Sequence, residues 1–92
     1  MTIKSFKQKF LEDFFYEGLT AKVPQKLVKR LAIMLDLLDS IADISDLKGF
    51  KDFHKLKGDR KHYYSLHVSG NWCVTFIWDD SDVYEVKLED YH

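Results

Sequence analysis

The sequence closes on Asp90-Tyr91-His92, directly after a run that alternates like a β-strand. Aspartate accepts protons, tyrosine donates a hydrogen bond or stacks, and histidine gives or takes a proton near neutral pH. A second reactive group stands mid-chain, where His54 is followed by Lys55, Lys57 and Arg60. Taken singly, the first group is a frayed end and the second a surface histidine beside a solvated basic turn. Brought onto one surface, they hold what metal-free cleavage of RNA requires. A base must take the proton of a ribose 2′-hydroxyl, and an acid must protonate the departing 5′-oxygen. Cations must neutralise the charge that develops on phosphorus. In that reading His54 and His92, with Asp90, move protons, while Lys57 and Arg60 supply charge.

The elements that must position these groups follow from periodicity. Thr2 to Ser5 suits a short opening strand. Lys7 to Glu17 predicts a helix, because Phe10/Phe14 and Leu11/Phe15 repeat at i,i+4, and Gly18 suits its left-handed end. Pro24 fits the first turn of a second helix, whose stripe is Leu27, Leu31, Met34, Leu38 and Ile41. After about Ala42 the period changes to alternation. Phe50 to Leu56 predicts a short strand, and Lys57-Gly58-Asp59-Arg60 a turn. Tyr63 to Val68, Trp72 to Trp78 and Val83 to Leu88 predict three strands joined by hairpin-length loops. The fold class is therefore α+β: two N-terminal helices packed on one face of a mainly antiparallel sheet of about four to five strands.

Strict alternation assigns the faces. Trp72, Val74, Phe76 and Trp78 share the core face with Leu66, Val68, Tyr84, Val86 and Leu88. Tyr63, Ser65, His67, Cys73, Thr75, Ile77, Glu85, Lys87 and Glu89 are expected on an open face. Such a face, with aromatic rings beside a basic turn, suits single-stranded nucleic acid.

The chain has 92 residues, enough for one domain over 1–92. Its net charge of −1 argues against a generic polyanion binder. The average hides a segregation, with lysine and arginine gathered between Lys48 and Tyr63 and acidic residues between Asp79 and Asp90. The two tracts are either solvated faces or surfaces for different partners. Cys73 is the single cysteine, so an internal disulfide and a Cys2His2 zinc site are excluded, in keeping with a reducing cytoplasm. No signal segment or membrane span is evident. Phosphate loops, zinc-protease helices and serine elbows are absent.

The string itself is more specific than its composition. Ile3-Lys4-Ser5-Phe6, Phe53-His54-Lys55-Leu56-Lys57-Gly58-Asp59-Arg60, Tyr64-Ser65-Leu66, Gly70-Asn71-Trp72, Thr75-Phe76 and Glu89-Asp90-Tyr91-His92 occur in this order. With them the chain resembles the HigB branch of the RelE-type bacterial toxins over essentially its full length. The resemblance implies a microbial-RNase-type fold and a ribosome-dependent endoribonuclease that cuts mRNA in the decoding site, without metal or other cofactor. It implies a HigA-type helix-turn-helix antitoxin, with operator DNA reached only through that partner, and no membrane association. Carried over by position, functional residues fall on His54, Lys57, Asp90, Tyr91 and His92. His54 and His92 are assigned to proton transfer, Asp90 to orientation, Tyr91 to placing the base and Lys57 to phosphate charge.

One position departs from the family. An arginine usually follows Asn-Trp before the central strand, and this chain has Cys73. Losing a bidentate phosphate donor costs about 2.7–4 kcal/mol of transition-state stabilisation on the scale of one oxyanion-hole contact. Lys55, in place of a frequent proline, returns part of that charge near the phosphate. The competing expectation is a weakened homologue that acts mainly as an antitoxin-binding co-repressor.

Overall fold

The computed structural model describes residues 2–50 and 52–90. Helix α1 spans Lys9–Glu17 and buries Leu11 and Phe14, with Phe10 and Phe15 packed at the edge of the same stripe. It ends at Gly18, whose φ of 72° lies in the left-handed region; the Gly18 N–H donates to the Phe14 carbonyl at 3.0 Å. Pro24 precedes a 3-10 turn over Gln25–Leu27 that leads into helix α2, Val28–Ser40. All five residues of the predicted stripe, Leu27, Leu31, Met34, Leu38 and Ile41, are buried.

Four strands follow: β1 (His54–Lys55), β2 (Tyr63–Ser69), β3 (Trp72–Asp79) and β4 (Asp82–Asp90). They form one antiparallel meander in the order β1-β2-β3-β4. Leu66, Val68, Val74, Phe76, Val86 and Leu88 belong to the same buried cluster as the helix stripes, so the helices cover one sheet face. The expected opening strand is reduced to two parallel bridges, Ile3 to Val83 and Phe6 to Val86, along the outer edge of β4. The Gln8 side chain prolongs that edge by accepting from the Leu88 N–H at 2.8 Å and donating to its carbonyl at 3.2 Å. The strand expected over Phe50–Leu56 shrinks to two residues. Hydrogen-bonded turns at Phe50 and Phe53, together with a φ of 59° at Asp52, break the extended run before His54.

Two expectations about the faces are corrected. First, strict alternation fails in β4. Thr75 pairs with Lys87 while Ile77 pairs with Tyr84, so β4 carries one extra residue opposite Phe76. The bulge centres on Glu85, at φ 54°, and Ser5 Oγ accepts the freed Glu85 N–H at 2.8 Å. Val83 and Val86 are buried, and Tyr84 is half-buried opposite Ile77 on the far face. Second, the far face is covered at its centre. Ser65, Cys73 and Thr75 are all buried there, and Thr75 meets a side chain delivered by the 3-10 turn Gly58–Arg60.

Candidate active site

Directly opposed residues of neighbouring strands project on the same side of a sheet. His54 opposes Ser65, Ser65 opposes Thr75, and Thr75 opposes Lys87, so these four form one row on the face turned away from the helices. The adjacent row is His67, Cys73 and Glu89. His54 is exposed at the sheet edge, and its Nδ1 lies 2.8 Å from the Asp52 carbonyl oxygen. A carbonyl only accepts, so Nδ1 carries the hydrogen. In the neutral ring Nε2 is then the basic nitrogen. The sharp turn at Asp52 therefore orients His54 as a proton acceptor. His67 is tied differently, with Nε2 donating to the Gly70 carbonyl at 2.9 Å inside the hairpin turn.

Arg60 is the residue that crosses this face. Its Nη1 donates to Glu89 Oε1 at 3.0 Å, and its Nη2 donates to Glu89 Oε2, a two-pronged ion pair. Nη2 also reaches Thr75 Oγ1 at 3.4 Å, and the Thr75 hydroxyl donates onward to Glu89 Oε2. The guanidinium stands 5.4 Å from the centroid of the Tyr63 ring. Tyr63 is held in turn by its hydroxyl, which donates to Glu85 Oε1 at 3.2 Å, and Lys7 pairs with the same carboxylate oxygen at 3.4 Å. The Arg60 guanidinium, helped by the Thr75 hydroxyl, holds the Glu89 carboxyl below its ordinary value against the opposing effect of burial. A fixed guanidinium thus lies over the same row as His54. Thr75 is two strands from His54, about 10 Å by strand spacing.

The other sequence candidates are distributed more widely. Lys57 is exposed at the start of the turn that carries Arg60. Lys55 goes to the opposite side of β1, with Nζ 6.0 Å from the Tyr64 ring centroid, while Tyr64 stacks between Phe53 and Phe76. Asp90 pairs with Trp72 and borders a cleft with Lys26, Gly70 and Asn71. It is therefore on the opposite side of β4 from Glu89, three strands from His54. Tyr91 and His92 lie outside the described residues. Cys73 occupies the expected face but is only 1% exposed, so its thiol offers no surface to a phosphate. Glu89 and Thr75 were legible only as face residues. Their link to Arg60, which is 29 residues from Glu89, has no local signal. Among the described residues no group of three or more His, Cys, Asp or Glu is arranged to hold a metal ion, and no helix is long and apolar enough to cross a membrane.

A family model described as the RelE-like toxin of the type II toxin–antitoxin system HigB matches residues 4–92. The chain belongs to the HigB-like toxin family. A HigB-like toxin has an antitoxin as its partner. The chain is 41% identical over 91 residues to the endoribonuclease HigB of Proteus vulgaris, covering 98% of this chain and 99% of that one. An uncharacterized protein of Haemophilus influenzae is 29% identical over 87 residues, covering 91% and 86%. In fold, the HigB-like chain is similar to a toxin–antitoxin structure, the heterotetrameric YoeB–YefM complex of Staphylococcus aureus. The TM-score is 0.61 at 24% identity, over 100% of this chain and 99% of that one. A second YoeB–YefM complex from the same organism gives 0.57 at 22% identity, with the same coverage. These likenesses support the α+β architecture predicted from periodicity.

Proposed function

We propose that this HigB-like chain is a single-domain endoribonuclease toxin that cuts mRNA on the ribosome without metal, in the cytoplasm, and is neutralised by a HigA-type helix-turn-helix antitoxin. The observation that carries the reading is the His54 imidazole, held with Nε2 as base on the sheet face where Arg60 fixes a guanidinium. The name of its Proteus vulgaris relative, an endoribonuclease, supports the same chemistry. His54 Nε2 takes the proton of the ribose 2′-hydroxyl. The freed oxygen attacks phosphorus, and the bond to the 5′-oxygen breaks. Arg60 and Lys57 supply positive charge as the phosphorane forms. His92 protonates the departing oxygen, and Tyr91 stacks on a base. The products are a 2′,3′-cyclic phosphate and a 5′-hydroxyl. The antitoxin complex represses its own operon, so operator DNA is met only through the antitoxin.

A second reading, a weakened toxin that serves as co-repressor, is favoured by the buried Cys73 thiol and by the neutralisation of Arg60 by Glu89. Regulated expression in a bacterial host separates the two. Growth arrest that co-expressed antitoxin relieves is expected of the nuclease. Normal growth at verified protein levels, with antitoxin still bound, would assign the chain to repression.

A further inference from the structure

The Arg60–Glu89 pair has the form of an occupied anion seat. Glu89 is the inner partner, with its side chain 16% exposed, while that of Arg60 is 42% exposed. Two carboxylate oxygens accept from two guanidinium nitrogens, the same fork that donates to the two non-bridging oxygens of a phosphodiester. The Thr75 hydroxyl braces the carboxylate, and the Tyr63 ring lies against the guanidinium. Cys73, directly opposite Glu89 in the sheet, brings no second guanidinium to share the work. An RNA phosphate drawn to Arg60 therefore meets a carboxylate already seated on it.

We propose that Glu89 is the resident counter-ion of the phosphate seat, holding the Arg60 guanidinium in place until a phosphodiester exchanges with it. The proposal rests on the reading of Arg60 as a phosphate contact. Glu89 is then a positioning residue: it pre-orients the guanidinium, and it weakens binding of any RNA not held by other contacts as well. Exchange moves no covalent bond. The Glu89 carboxylate leaves the fork and stays near the Thr75 hydroxyl and Lys87, which precedes it by two residues on the same face.

The test uses an RNA oligonucleotide with 2′-O-methyl riboses, which binds but cannot be cut by 2′-hydroxyl attack. The carboxyl 13C signal of Glu89 is titrated with pH in the unmodified protein, with and without the oligonucleotide. Exchange predicts a titration below the ordinary glutamate range in the free protein and a return towards that range in the complex. Glu89→Gln, which keeps the shape and removes the charge, is expected to bind the oligonucleotide about 3–10-fold more tightly. Binding that leaves the Glu89 titration unmoved, or Glu89→Gln binding equally or more weakly, would overturn the exchange and make the pair a structural anchor. An oligonucleotide that fails to bind even the Glu89→Gln protein at saturating concentration would reject the RNA reading of the whole face, and the exchange with it.

Discussion

Replacing His54 by Ala lowers the rate of message cleavage by about 10²–10⁴-fold, the range for removing a positioned general base. The imidazole is held at the start of a two-residue strand, exposed, with Nδ1 committed to the Asp52 carbonyl. Nothing in the core depends on it, so antitoxin binding and the thermal melt are expected to stay as in the unmodified protein. His54→Gln keeps a hydrogen-bonding side chain but cannot accept and release a proton at neutral pH, and it is expected to be as inactive as His54→Ala. Single-turnover cleavage measured by primer extension reads both variants. A His54→Gln protein that retained more than a tenth of the activity would assign His54 to binding rather than proton transfer.

Arg60→Ala is expected to lose about 10²–10³-fold in cleavage, the loss seen when one preorganised donor to a developing oxyanion is removed. It also leaves Glu89 as an uncompensated, mostly buried charge, so a fall in melting temperature accompanies the loss. The position of Arg60 revises what Cys73→Arg does. On an open face, an arginine at 73 would add a phosphate contact and raise activity. Here Cys73 is buried opposite Glu89, and a second guanidinium would compete with Arg60 for one carboxylate. Cys73→Arg alone is therefore expected to give little or no gain. In the Arg60→Ala background the space and the carboxylate are both free, and Cys73→Arg is expected to restore a tenfold or greater part of the loss. Rescue of that size would place the two positions in one phosphate seat; its absence, in a protein that melts normally, would separate them.

The legible and illegible parts of this chain divide by the range of the interactions involved. The α2 stripe and the Gly18 terminus are set by neighbours within four residues, and the structure has them where spacing puts them. The meander follows equally from period-two runs and short loops. Tyr84 was misplaced because the bulge at Glu85 depends on Ser5, 80 residues away, accepting a backbone N–H. The burial of Ser65, Cys73 and Thr75 was missed for a similar reason. Their polarity and alternation suit an open face, and the long-range Arg60–Glu89 pair, bonded to Thr75, has no local signal. At the site, residue types pointed to His54 and Arg60, and the sheet register places both on one face. Register also separates Lys55 and Asp90 from them, which residue types alone do not reveal.

Cleavage of RNA by 2′-hydroxyl attack on this face leaves its mark on the fragment ends, which mass spectrometry reads from a message translated in the presence of the toxin. The expected ends are a 2′,3′-cyclic phosphate or its 3′-phosphate hydrolysis product on the upstream fragment, and a 5′-hydroxyl on the downstream one. A 3′-hydroxyl paired with a 5′-phosphate would contradict 2′-hydroxyl attack, because those ends arise when water attacks phosphorus and the 2′-hydroxyl takes no part.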